Sequence, residues 1–203
     1  DSGLTAILMG IMPIAVAVLA HFFTHDERLN LPRAIGVVTG FAGLIVLVGW
    51  EALRGLGSDA IAQLAILGGA ICYAVTTIFV RRHGRGSGRD MALAAMICGT
   101  LLMVPTALVA GSPAYATFSV KSMMALGVLG VFSTAIATLL YFRLLKTIGA
   151  MVFSQVNYMI PMMGVFWGVV LLHEQPGWRE AFALVCVISG ITLVNMRSGI
   201  IRK

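Results

Sequence analysis

Residues 150–172 read AMVFSQVNYMIPMMGVFWGVVLL, a stretch as long as a bilayer is thick and without one charged side chain. At 1.5 Å rise per residue, a helix needs about 20 apolar residues, within a range of about 17–25, to cross the hydrocarbon core. Comparable stretches lie at 4–23, 34–50, 60–80, 91–110, 123–142 and 181–196, with short polar loops between them. The last is slightly short and is expected to recruit Trp178 and its neighbours at the interface. A soluble helix of this length carries a charged outer face, and these do not. The expectation is an all-α integral membrane protein, a bundle of about seven transmembrane helices.

Composition agrees. Of the 203 residues, 59% are hydrophobic and 11% charged, and the mean hydropathy is +0.97. Soluble domains carry roughly 25% charged residues. The apolar runs are continuous rather than alternating, which argues against a barrel. No loop is long enough to hold a soluble domain.

The net charge of +6 raises the question of nucleic acid, and its placement answers it. With the C-terminal tail taken as cytoplasmic, the loops on that side carry Arg28, Arg33, Arg81, Arg82, Arg85, Arg89, Arg143, Lys146, Arg197, Arg202 and Lys203. The opposite loops carry only Arg54, Lys121 and Arg179. That asymmetry is the positive-inside pattern. The basic surplus sets topology and leaves no nucleic-acid partner to expect. It fits a bacterial cytoplasmic (inner) membrane with the C-terminus in the cytoplasm and Asp1 outside. Asp1–Ser2–Gly3 has neither a basic flank nor a cleavage motif, so no signal peptide is expected. Cys72, Cys98 and Cys186 all lie in apolar runs, too scattered for a metal or redox site. No cofactor is expected.

The chain also echoes itself. LTAILMGIMPIAVAVLAHFFTHDERL followed by AIGVVTGFAGLIVLVG near the start matches AMVFSQVNYMIPMMGVFWGVVLLHEQP followed by AFALVCVISGITLVN near the end. In each, a proline lies mid-helix (Pro13, Pro161), a glutamate ends the helix (Glu27, Glu174), and a glycine sits inside the next helix (Gly43, Gly190). The copies are five helices apart. Five is odd, so they point opposite ways across the membrane, the inverted duplication many secondary transporters share. A five-helix unit makes residues 1–50 the last two helices of a first repeat. Residues 51–59 are then a linker, 60–196 the complete second repeat, and 197–203 a basic cytoplasmic tail. The parent expected from this is a ten-helix (5+5) protein whose first three helices are absent from the chain.

On these residues the chain resembles the EamA-type branch of the drug/metabolite transporter superfamily. Its members pair a proline-containing helix and a Glu-containing cap with a Gly-rich helix, here HDERL and LLHEQP, in two modules of five helices. The resemblance covers essentially the whole chain. It implies a secondary transporter, a permease or exporter of a small metabolite such as an amino acid or related compound, working by alternating access. The second cap departs from the usual form in reading HEQP.

All eight acids lie in loops or at helix ends, so no carboxylate marks a relay at mid-membrane. A neutral, polar site is therefore expected. Helix 150–172 is the richest source: Gln155, Tyr158, Met162 and Phe166 share one face at helical spacing. That mixture of amide, phenol, thioether and ring suits a small amphipathic solute. Ser154, Asn157, Pro161, Gly164 and Gly168 form a second stripe, read as helix packing. Tyr73 and Thr134 are the further substrate-lining candidates. Pro13 and Pro161 are expected to bend their helices, with Gly43, Gly190, Glu27 and Glu174 structural. The Gly36/Gly40/Gly43 and Gly127/Gly130 sets are expected to admit close helix approach.

The expected partners are the lipid bilayer and a small-molecule substrate, with a homodimer as an allowed assembly. An intramembrane enzyme is disfavoured: His173–Glu174 has no second histidine to make a zinc motif. A seven-helix receptor fits the helix count but not the echo. A non-transporting scaffold is the remaining alternative.

Overall fold

The computed structural model describes residues 2–57, 59–109, 119–173, 175 and 177–196. Their regular elements are helices: α1 (Ser2–Met9), α2 (Met12–Phe23), α3 (Leu31–Val48), a 3₁₀ segment (Trp50–Gly55), α4 (Ala60–His83), α5 (Gly88–Val109), α6 (Val120–Val128), a π-helical stretch (Leu129–Ile136), α7 (Ala137–Ile148), α8 (Ala150–Ser154), α9 (Val156–Leu172) and α10 (Trp178–Asn195). Among the described residues, six spans are long and apolar enough to cross a membrane: Leu4–Phe23, Leu31–Val48, Ala60–His83, Gly88–Val109, Val120–Ile148 and Trp178–Asn195. The seventh expected span, 150–172, is divided at Gln155, which leaves α9 with 17 residues, at the lower end of what a crossing takes. Large apolar side chains face outward, Ile61 83% and Val109 89% exposed, a surface that hydrocarbon satisfies and water does not. The chain is an all-α integral membrane protein.

Local chemistry starts the helices where the polar loops end. Asn30 Oδ1 accepts the Arg33 N–H at 3.0 Å, ahead of a proline in the first turn of α3. Asp59 Oδ1 accepts the Ala62 N–H at 3.0 Å and opens α4. At the other end of α3, the Arg179 guanidinium lies 6.0 Å from the Trp50 ring and 5.9 Å from that of Trp178, and 3.9 Å from Glu51. These are interfacial residue types held by cation–π contact.

The chain forms two compact units, Asp1–His83 with Ile148–Lys203, and Gly84–Thr147. The first is built on a seam between α3 and α10. A Cβ placed on Gly190 would fall 2.6 Å from the Gly36 carbonyl oxygen, and one on Gly43 would fall 3.1 Å from that of Ala183. Moving forward along α3 from 36 to 43 means moving backward along α10 from 190 to 183, so the two helices run antiparallel. The sequence offset that carries Gly43 onto Gly190 also carries Gly36 onto Ala183. The seam therefore makes the same contact twice, as two copies related by a two-fold axis do. Beside it lies a cluster of Leu44, Tyr158 and Val187, with Phe41, Val48, Met162 and Ile191 packed against it.

The second unit opens with a reciprocal cap: Ser87 N–H donates to Asp90 Oδ2 at 2.8 Å, and Asp90 N–H to Ser87 Oγ at 3.3 Å. Lys146 Nζ donates to the Gly86 carbonyl. In the π-helical stretch, Thr134 Oγ1 donates to the Leu129 carbonyl, five residues back, at 3.2 Å. The expectation of close approach at Gly127 and Gly130 is corrected here: among the described residues nothing lies within 4 Å of a Cβ on either.

Candidate transport site

The break at Gln155 is the first functional feature. Pro161 has no N–H to offer the carbonyl four residues before it, yet the ladder gives way earlier. Gln155 N–H bonds to Val152 O at 3.2 Å and Tyr158 N–H to Gln155 O at 3.0 Å, both at three-residue spacing. Side chains supply the donors that the interrupted ladder no longer provides. Ser154 Oγ donates to Met151 O at 2.8 Å, and Asn157 Nδ2 to Ser154 O at 3.3 Å. The Asn157 amide also reaches the Met12 sulfur, so the break touches the helix that carries Pro13. That helix is interrupted too: α1 ends at Met9 and α2 begins at Met12. Pro13 explains it, because it leaves the Met9 carbonyl without its helical donor.

The second feature is a buried carboxylate that ties the loop after α2 to the start of α8. Glu27 accepts the Ala150 N–H on Oε1 at 3.0 Å and the Met151 N–H on Oε2 at 2.7 Å. Arg81, in the last turn of α4, donates from Nε to Glu27 Oε1 at 2.8 Å and from its terminal nitrogen to Asp26 at 2.6 Å. The Glu27 side chain is only 9% exposed. A carboxylate at a helix start satisfies orphan N–H groups and opposes the helix dipole favourably. Gly149 makes the approach feasible: its φ is +89°, and a Cβ there would fall against the Glu27 carboxylate.

Gln155 and Tyr158 lie in the interior of the first unit rather than on a cavity wall. Tyr158 is fully buried, its ring against Gly40 of α3, and its hydroxyl donates to Val37 O at 3.4 Å. Gln155 Oε1 is buried without a hydrogen-bond partner among the described residues. Met162 and Phe166 line a cavity of about 480 Å³ between α9 and α10, with Met159, Met163, Leu184 and Glu180. That volume lies within the range of small-molecule sites. Thr134 lines a separate cavity of about 570 Å³ within the second unit, with Thr100, Met103 and Thr138. Tyr73 is 57% exposed on α4. Pro13, Gly43, Gly190 and Glu27 all sit in packing or capping positions, while Pro161 is half-buried inside α9. Glu174 and the 197–203 tail lie outside the described residues. The geometry thus distributes the substrate-lining candidates over four places.

A family model for EamA-like transporters matches residues 60–196, more than half of the chain. The chain belongs to the EamA-like transporter family. The uncharacterized transporter YoaV of Bacillus subtilis is 26% identical over 86% of this chain and 60% of its own length. The uncharacterized inner membrane transporter YedA of Escherichia coli K12 is 24% identical over 96% of this chain and 62% of its own length. The chain therefore spans 60–62% of the length of these curated relatives. A solved crystal structure superposes with a TM-score of 0.78 at 20% identity, over 96% of this chain and 68% of that one. The likeness is one of fold.

Three parts of this EamA-like site were not singled out from sequence. Arg81 read as a topology-setting charge, yet it bridges Asp26 and Glu27. Gly149 was given no role, although its positive φ is what lets the Glu27 carboxylate approach the start of α8. Glu180 counted only among the eight acids in loops or at helix ends, and nothing in the sequence told that it borders the cavity of Met162 and Phe166.

Proposed function

We propose that this chain is the larger part of a ten-helix secondary transporter, which moves a small amphipathic metabolite such as an amino acid or related compound. It does so by alternating access, in the export direction, across a bacterial cytoplasmic membrane with its C-terminus inside. The observation that carries the reading is the antiparallel seam of α3 and α10, where Gly36 meets Gly190 as Ala183 meets Gly43. An inverted duplication generates such a contact, and inverted modules that rock about a shared site are the usual construction of alternating access.

In this reading the Glu27 cap is the closed gate at the cytoplasmic end. Separating α8 from the loop after α2 frees two buried N–H groups and takes two donors from the buried Glu27 carboxylate. The transition therefore stays closed until differential binding elsewhere offsets that cost. The broken helices at Gly10–Ile11 and at Gln155 are the places where a segment moves without unwinding a whole span.

The test is counterflow of amino acids and related compounds by the full-length protein in proteoliposomes, with Glu27→Ala and Gln155→Leu alongside. The reading expects flux with the native protein, and loss of flux in both variants while insertion persists. Folded, inserted native protein that moves no solute faster than empty vesicles overturns it.

A further inference from the structure

The cavity between α9 and α10 is apolar on nearly every side, with one exception. Its walls are Met159, Met162, Met163, Phe166 and Leu184, and at one end stands the Glu180 carboxylate. Glu180 Oε2 is buried and has no hydrogen-bond partner among the described residues. A buried carboxylate oxygen with no donor is costly, and structures hold one where a ligand or ion completes it.

The neighbouring charges do not complete it. Arg179, next in sequence, has its guanidinium over Trp50 and Trp178 and near Glu51. Glu180 lies in the first turn of α10, where the helix dipole favours a negative charge. The carboxylate thus borders an apolar space. Gly177 gives it room: a Cβ at that position would stand 3.0 Å from Oε2.

We infer that this cavity binds an amphipathic organic cation, an amine or ammonium with an apolar body, with Glu180 as its charge partner. The inference rests on the transport reading and deepens it by naming the substrate class. The methionines supply soft, adaptable walls for bodies of varied shape. Phe166 offers a ring face to a cationic or aromatic group. A volume of about 480 Å³ admits an aromatic amine with space for substituents. An anion would meet the Glu180 charge directly, and a neutral solute would leave it unpartnered.

The test uses the full-length protein in nanodiscs and measures displacement of radiolabelled phenethylammonium. The competitors are unlabelled phenethylammonium, 2-phenylethanol and phenylacetate, which share a ring and differ in charge. The expected order is cation, then alcohol, then carboxylate, with the cation about tenfold or more ahead of the alcohol, as a charge-assisted contact gives. Glu180→Gln removes the preference, and Glu180→Asp keeps part of it. Gly177→Ala, which retains the charge but displaces it, weakens cation binding. Equal binding of cation and alcohol, as a groove filled by an acyl chain would show, overturns the inference. An unchanged cation preference in Glu180→Gln overturns it as well. The readout is binding, so the two readings fail separately. Cation binding lost in Glu180→Gln, without counterflow of any solute, defeats transport alone. Counterflow with no charge preference in binding defeats this inference alone.

Discussion

The Glu27 carboxylate accepts the backbone N–H of Met151 at 2.7 Å, joining residues 124 positions apart in the chain. The helix it caps, α8, has five residues, far fewer than a helix needs to stand alone. Its start is fixed from outside, by a loop of the preceding half.

Removal of that cap is the first test. Glu27→Ala leaves two buried N–H groups without their acceptor and Arg81 with Asp26 in place of two carboxylates, and the expected loss is about 3 kcal/mol. Glu27→Gln keeps one carbonyl acceptor and is expected to lose about half as much. Thermal unfolding of the purified protein in detergent measures both. Equal stability of all three proteins would remove the cap from the account.

Glycine substitutions separate packing from composition. A Cβ on Gly36 would stand 2.6 Å from the Gly190 carbonyl, a backbone atom that cannot yield cheaply. Gly36→Ala is expected to destabilise by about 1–3 kcal/mol. Gly68 and Gly99 have nothing within 4 Å of a Cβ, so Gly68→Ala and Gly99→Ala are expected to be neutral or to gain up to about 1 kcal/mol in helix propensity. Unfolding midpoints in the same detergent rank the three, and a Gly36→Ala protein as stable as Gly99→Ala would contradict the seam.

At the break, stability and flux are expected to part. Gln155 Oε1 is buried without a partner among the described residues, while Nε2 donates to Met151 O only at 3.5 Å, so Gln155→Met exchanges a half-satisfied amide for an apolar chain of similar size. The expected gain is about 1 kcal/mol, accompanied by a fall in counterflow because the break is stiffened. A variant that is both less stable and fully active would count against this role for Gln155.

Tyr158 tests volume against hydrogen bonding. Its hydroxyl reaches Val37 O only at 3.4 Å, so Tyr158→Phe is expected to cost less than about 1 kcal/mol. Tyr158→Ala empties the space beside Leu44 and Val187 and is expected to cost about 3–5 kcal/mol. Chemical unfolding of the two variants compares them directly, and similar losses would mean that the hydroxyl carries the contact.

Much of this fold is legible in the chain because hydrocarbon imposes one simple demand, helices long and apolar enough to cross it. The echo of Gly43 in Gly190 marks the two glycines that meet the facing backbone along the α3–α10 seam. The division of 150–172 at Gln155 was not legible, because apolarity reports burial in lipid and is blind to the backbone ladder. In hindsight the polar run Ser154, Gln155 and Asn157 holds the clue: it supplies the donors that a broken turn requires. The candidate site was legible only in part. Helical periodicity placed Gln155 and Tyr158 on one face with Met162 and Phe166, but it could not tell that α3 covers the first pair and leaves the second beside a cavity. The pairing of Glu27 with Arg81 spans three segments, and no local pattern carries it.

The seam of α3 and α10 also bears on how the molecule is made. Spans enter a bilayer in order of synthesis and associate afterwards. Gly36 and Gly43, whose nearest neighbours belong to α10, therefore lie in the membrane without that partner while more than a hundred further residues are added. Closure waits for the last helix to arrive. A chain that stops before Trp178 would insert and still remain unfinished, exposed to quality-control proteases along a strip of naked backbone.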